Sequence, residues 1–310
     1  MVDDAVITVS SPGSLMLLGE HAVLHGHRAL VCAINRRITV RLTPLGEKRL
    51  KIHSCLGEYD HPLYDLPDDP SFRFVLQAVR QHVGQLPAGL RLRIDSDFSA
   101  DIGFGSSAAV TVAVHGAVLH WLLGKPPPHR ALFDRALQTV HAVQGRGSGA
   151  DLAASVFGGA VCYANTPSFE PVSISLPLTA VYSGYKTPTP EVISRVEQLR
   201  AEHPDRFEMI YTEMDTLAAD AVKCLRQRDL LGFGMLVDRN HQLMEDIGVN
   251  TPQLQEIVEA LRSCDGIFGA KISGSGLGDC AVGIGHADLK TLDYPVYHLE
   301  VSSNGCVYHE

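Results

Sequence analysis

The amino-acid sequence predicts an α+β architecture of two layered domains. Three observations lead there. The chain has 310 residues, more than one minimal core needs and enough for two domains sharing an interface. Its early part is dominated by alternating apolar segments of strand type, and beyond them strand and helix patterns alternate to the end. Hydrophobic residues make up 45% and charged residues 20%, the balance of an ordinary globular protein.

Taken in order, AVITVSS, RRITVRLTPL and RLKIHSCL read as strands, the last two separated by the turn-like LGEK. SFRFVLQAVRQHV has helical spacing and follows an acidic, proline-bearing stretch, with Ser71 as the expected N-cap. GLRLRIDSDF returns to strand alternation. Next, SADIGFGSSAAVTVAVHGAVL (Ser99 to Leu119) is a short loop running into a helix that should end near Gly124, ahead of three prolines. HRALFDRALQTVHAVQG is a further helix ended by Gly145, GSGADLAASVFGG a loop feeding a short helix, and AVCYAN a strand. The Pro- and Ser-rich TPSFEPVSISLPL marks a domain boundary. The remainder is expected to alternate strand and helix, through PTPEVISRVEQLRAEH, EMDTLAADAVKCLRQRDLLGFGMLVDRNHQLMEDI and TPQLQEIVEALRSC, and it closes on the glycine-rich GAKISGSGLGDCAVGIG.

Composition narrows the function. A formal net charge of −9 argues against a general nucleic-acid binder, which needs a basic face. It leaves room for a phosphate-bearing small ligand held by backbone donors. The seven cysteines are scattered without a C-x-x-C pair, as expected of thiols in a reducing compartment. No histidine spacing suggests structural zinc. No apolar run reaches the roughly 20 residues that span a bilayer, and MVDDAVITVSSPGS has acids where a secretory signal carries Lys or Arg. A cytoplasmic protein without membrane or nucleic-acid partners is therefore expected.

Three glycine-rich stretches carry the chemistry. A helix N-terminus leaves about four backbone N–H groups unpartnered and partly positive, and preceding glycines let an anion approach them. Gly103 and Gly105 meet that need, and Ser106 and Ser107 add hydroxyls. Alone, a Ser-capped helix after a tight turn is the better explanation of the pattern, and no Lys follows as in a Walker loop. In SPGSLMLLGEHAVLHGHRALVCAIN (Ser11 to Asn35), Glu20 and His21 stand side by side at a strand end. In KISGSGLGDC, glycines at 274, 276 and 278 form a backbone nest or a tight turn. Asp151 follows the glycine-rich QGRGSGA, where a lone Asp is most often an N-cap.

Together and in this order, these stretches resemble the GHMP kinases, over about Pro12 to Gly285. GEHAVLHGHRALVCAIN, GYKTPTPEVI and HQLMEDIGVNTPQLQEIVEA followed by GAKISGSG look most like the mevalonate kinase branch. HAVQGRGSGADLAAS and the Gly-Asp-Cys at 278–280 look more like the phosphomevalonate kinases. The resemblance implies an N-terminal α+β nucleotide-binding domain (1–166), a C-terminal ferredoxin-like domain (167–310), and a site in the cleft between them. It implies that Gly103, Phe104, Gly105, Ser106, Ser107 and Ala108 form the phosphate loop for ATP, with Ser107 contacting Mg2+. Asp151 matches the acid facing the acceptor hydroxyl, Glu20 and His21 match acceptor-side residues, and Gly274, Ser275 and Gly276 match the loop closing over phosphates and acceptor. The implied activity is transfer of the γ-phosphoryl of ATP to mevalonate. Phosphomevalonate or a sugar or sugar acid is the alternative acceptor, a non-catalytic ligand sensor the alternative of another class, and a homodimer is left open.

The chain also departs from the pattern. Family members usually carry Lys or Arg where this chain has Ser14, and another glycine where it has Asp101. The usual metal-binding Glu aligns near Val140 or His141, which leaves the metal to Ser107 and phosphate oxygens. A cation near Asp151 would favour its ionised form. Lys186, Lys271, Arg36 and Arg37 are the candidates to replace the missing one, with Lys186 expected on the acceptor side. Arg146 is a candidate to bind a phosphorylated acceptor, against an ordinary role as a solvated loop cation.

Overall fold

The computed structural model describes residues 6–164, 168–172, 174–289 and 293–309. The expected division at 166/167 lies outside the described residues. β1 (Ile7–Leu18) and β2 (Ala29–Leu45) open the chain as an antiparallel pair. Both are longer than the alternation predicts. LMLL and ALVCAI are buried residue after residue, so they lack the period-two pattern of a half-exposed strand. β3 (Arg49–Ser54) turns into β4 (Gly57–Pro62), a strand missed in the sequence because GEYDHP buries only Tyr59.

α1 (Arg73–Arg80) starts after Phe72, so Ser71 is not its cap. The Ser71 N–H instead donates to Asp69 Oδ1 at 2.8 Å in a local turn that competes with helix initiation. β5 (Gly89–Ser96), α2 (Ser106–Leu123), α3 (His129–Gln144), α4 (Ala150–Phe157) and β6 (Ala160–Ala164) follow as read, with Gly124 and Gly145 in left-handed caps after α2 and α3. β7 (Ser168–Val172) pairs with β6 and continues the first sheet.

The second half departs from the expected alternation. After β8 (Pro177–Tyr182) come four helices in succession: α5 (Thr189–Glu202), α6 (Pro204–Gln227), α7 (Leu230–Asp246) and α8 (Pro252–Arg262). The long segment from Glu213 to Ile247 breaks at Arg228, whose φ is 58°, and Asp229 caps α7 by accepting from the Gly232 N–H. β9 (Ile267–Ser273), β10 (Cys280–Gly285), β11 (Val296–Glu300) and β12 (Val307–His309) end the chain.

Among the described residues these strands form two sheets. The first runs β12-β1-β2-β5-β3-β4, with β6 on the other half of β2 and β7 beyond it; the second is antiparallel, in the order β11-β8-β10-β9. The architecture is α+β. α2 packs against β1, β2, α1, α3 and α4, and buries Ala108–Val118 apart from Val110. By length and composition α2 could cross a membrane, but a helix apolar all round and enclosed on this scale is a core helix.

α2 also carries a buried polar network. His82 Nε2 lies 3.0 Å from His115 Nδ1, and His115 Nε2 lies 2.8 Å from Thr139 Oγ1, which accepts from Gln81 at 2.7 Å. Burial pushes His82 down to about 4 and His115 to about 3, so the fold holds both rings neutral near pH 7. Unfolded histidine titrates near 6.5, so this contribution is complete above that pH and is lost as pH falls from 6.5 toward 3. We expect stability to drop over that interval by at least about 3 kcal/mol, the share of His82 alone, and the drop to flatten in His82→Gln/His115→Gln. Denaturant titrations across pH measure it, and an unchanged slope in the double variant would contradict the assignment.

Candidate active site

The loop before α2 leaves backbone donors free at the mouth of the cleft. Gly103 and Gly105 have φ of 73° and 64°, and no side chain caps the helix, so its first N–H groups stay available. Close approach reinforces the need for glycine. A Cβ on Gly105 would lie 2.0 Å from Ser14 Oγ, and one on Gly103 would lie 3.0 Å from Asp279 Cβ. Ser106, Ser107 and Ala108 line the cleft, and Ser106 Oγ donates to the Ala100 carbonyl at 3.3 Å. Phe104 does not present its ring. The side chain is buried against Phe98 and Tyr297, the residue is not part of the cleft wall, and its carbonyl accepts from the Ser14 N–H at 3.0 Å.

Asp151 sits in the first turn of α4, where the helix dipole favours a negative charge. Ser14, delivered by β1, donates from Oγ to Asp151 Oδ1 at 2.8 Å. The residue that breaks the expected pattern is therefore in direct contact with the expected acid. Burial pushes the Asp151 carboxyl up, the Ser14 hydrogen bond and the Lys186 charge pull it back down, and Glu20 pushes it up slightly. Ser14→Ala removes a stabiliser of the ionised form. We expect it to move the acid limb of the kcat/KM profile to higher pH, with rates converging on wild type in alkali; an unmoved limb would contradict the role given to this bond.

Of the four candidate cations, Lys186 is in the cleft. Its Nζ lies 3.6 Å from Asp279 Oδ1. Lys271 is fully buried and engaged by Glu20. Arg37 donates to the Ser10 and Gly305 carbonyls, and Arg36 is not part of the cleft wall. Val140 lines the cleft, whereas His141 is exposed and meets the Gly147 carbonyl. Asp101 is exposed and lines a neighbouring cavity. Arg146 lies at the cleft lip.

Glu20 and His21 occupy the turn after β1. Glu20 Oε1 accepts from Lys271, and Oε2 accepts from Asn240 at 3.2 Å, while Asn240 in turn accepts from the Gly19 N–H at 3.3 Å. His21 has φ of 60° and lies 2.9 Å through Nε2 from the Ser275 carbonyl, so Nε2 carries the proton. Burial pushes the His21 imidazole down, which keeps it neutral. Gly274 (φ 89°) and Ser275 line the cleft, and the buried Ser275 hydroxyl has no hydrogen-bond partner among the described residues. Gly276 is not part of the cleft wall, and a Cβ on it would lie 2.6 Å from Val249 Cβ.

The cleft has a volume of about 190 Å³ and lies between the two sheets. It shares Ser106, Ser107, Gln144, Lys186, Thr189 and Pro190 with a larger cavity of about 680 Å³, walled by Phe72, Phe74, Val75, Ile94, Phe98 and Val110. The sequence reading missed the hydroxyl role of Ser14, the Lys271 and Asn240 partners of Glu20, and Asp279. For Asp279 the signal was the Gly-Asp-Cys itself.

Comparisons with known proteins identify the family. Residues 71–159 match the GHMP kinases N terminal domain, residues 221–291 the GHMP kinases C terminal domain, and residues 2–44 the galactokinase galactose-binding signature. The chain is 32% identical over 280 residues to a mevalonate kinase of Archaeoglobus fulgidus, covering 89% of this chain and 91% of that one. It is 30% identical over 295 residues to a mevalonate kinase of Thermococcus gammatolerans, covering 88% and 87%. In fold it is similar to the crystal structure of L. major mevalonate kinase in complex with R-mevalonate, with a TM-score of 0.79 at 24% identity, covering 96% of each chain. Two matched domain models in order, and relatives of this identity over nearly the whole length, settle the descent: the chain belongs to the GHMP kinase family.

Proposed function

We propose that the chain transfers the γ-phosphoryl of ATP to the hydroxyl of mevalonate. It is a phosphotransferase with an alcohol group as acceptor, and its relatives named mevalonate kinase support that acceptor. The observation that carries the mechanism is a single cleft joining the uncapped N-terminus of α2 to the Ser14–Asp151 pair.

Phosphoryl transfer needs in-line placement and neutralisation of charge more than covalent work by the protein. The N–H groups at Gly105–Ala108 hold the nucleotide phosphates, and the larger cavity takes the base and ribose between its apolar walls. Asp151 is the catalytic residue. Ser14 occupies Oδ1, leaving Oδ2 to orient the acceptor hydroxyl and take its proton. Lys186 serves as the cation facing this carboxylate, and His21 and Glu20 shape the acceptor end. Gly274 and Ser275 close over the transferred group, with the unpartnered Ser275 hydroxyl as a donor to it.

Ser107 offers the hard oxygen donor that Mg2+ prefers and would hold the ion together with phosphate oxygens. Bound there, the ion supplies positive charge to the nucleotide phosphates. Ser107→Ala should weaken the dependence of nucleotide affinity on magnesium, and identical titrations for wild type and variant would remove Ser107 from the metal site. We place the protein in the cytoplasm, which suits its seven free cysteines.

One observation favours a second reading. Arg146 stands at the cleft lip without a hydrogen-bond or ion-pair partner among the described residues, as a site for a phosphorylated acceptor would need. ADP release measured against mevalonate, phosphomevalonate, galactose and homoserine separates the readings. Mevalonate is expected to give the highest kcat/KM; preference for phosphomevalonate would transfer the assignment.

A further inference from the structure

Asp279 is an unusual residue for its location. It ends the glycine-rich loop between β9 and β10 with φ of 62°, and its side chain is only 8% exposed. Its Oδ1 would lie 3.2 Å from a Cβ on Gly103, so a buried carboxylate stands directly against the loop that is to hold phosphates. A buried charge is costly unless paired, and a negative one here also repels the ligand. A cation must therefore answer it, and the cation present is Lys186 at 3.6 Å.

The backbone reinforces that pairing. The Asp279 N–H donates to the Tyr185 carbonyl at 2.9 Å, and the Ser183 N–H donates to the Asp279 carbonyl at 2.9 Å. Thr187 donates from its hydroxyl to the Leu277 carbonyl, and a Cβ on Gly278 would come within 3.0 Å of the Tyr185 ring. The segment carrying Lys186 is thus strapped to the segment carrying Asp279 on both sides of the ion pair.

We propose that Asp279 is a positioning residue, holding the Lys186 ammonium in the cleft where its charge acts on Asp151. The kinetic consequence rests on the phosphoryl-transfer reading above; the placement of Lys186 does not. Burial pushes the Asp279 carboxyl up and Lys186 draws it back, which is the mutual support the geometry describes.

The test compares Asp279→Asn, Asp279→Glu, Lys186→Ala, Lys186→Arg and the Asp279→Asn/Lys186→Ala double variant, all in the full chain. Asp279→Asn should lower kcat about tenfold with both KM values within about threefold of wild type, and should cost nothing further in the Lys186→Ala background. Asp279→Glu and Lys186→Arg, which keep the charges, should each recover part of the loss. Additive losses, or no recovery by the charge-preserving variants, would overturn the proposal and leave Asp279 a packing residue. A second measurement needs no turnover: reductive methylation of Lys186, followed by peptide mass spectrometry, should run several-fold faster in Asp279→Asn. An unchanged rate would overturn the placement even if the wild-type protein proved inactive toward mevalonate, a result that would by itself refute only the functional reading.

Discussion

Asp151→Asn is expected to lower kcat by on the order of 100-fold or more, the range for a positioned acid–base group, while nucleotide binding persists. The substitution keeps the size of the side chain, and the amide oxygen can still accept from Ser14, so the local fold should survive. What disappears is the negative charge and the proton acceptor facing the acceptor hydroxyl. Nucleotide affinity should hold or rise, because the helix N-terminus and the apolar cavity supply it and a nearby carboxylate has been removed. Steady-state kinetics with mevalonate, paired with a nucleotide titration, reads both quantities. Near-wild-type turnover would remove Asp151 from the chemistry.

The largest expected effect on stability lies at Lys271. This ammonium is fully buried, Glu20 is 2% exposed, and the two meet across the junction of β1 with β9. Burial pulls Lys271 down and the Glu20 charge holds it up, so each group depends on the other. Lys271→Ala leaves a buried carboxylate with Asn240 as its hydrogen-bond partner among the described residues, and breaking such a pair costs about 3–5 kcal/mol. Urea denaturation should show that loss, with a fall in Tm on the order of 10 °C. Glu20→Gln/Lys271→Met removes both charges and should recover most of it, because an apolar or neutral replacement of a buried pair is close to neutral. A double variant less stable than Lys271→Ala would contradict the account. Since Glu20 is held this way, the role proposed for it at the acceptor end is to fix the turn carrying His21.

These residues also show how far the sequence could be read. Glycines with positive φ and helices ended by glycine are local devices, so the loop at Gly103–Gly105 and the stops at Gly124 and Gly145 were legible. Continuous burial hid the lengths of β1 and β2, because a strand enclosed on both faces shows no alternation. The run of four helices after β8 was misread as alternation, since helix periodicity carries no information on what lies between helices. Asp151, Ser107 and His21, picked out by the family resemblance, all line one cleft, but pairing between distant segments was invisible. Ser14 with Asp151, Glu20 with Lys271 and Asp279 with Lys186 are 137, 251 and 93 residues apart, the last being the difference of the two residue numbers, and only the folded chain brings them together.

Phosphorylation of mevalonate in this cleft is read from the product itself. ATP, Mg2+ and mevalonate incubated with the full chain and followed by phosphorus NMR should yield ADP and one new phosphomonoester, in equal amounts, with the signal lost in Asp151→Asn. Release of inorganic phosphate in place of the ester, or an ester formed from phosphomevalonate and not from mevalonate, would contradict it.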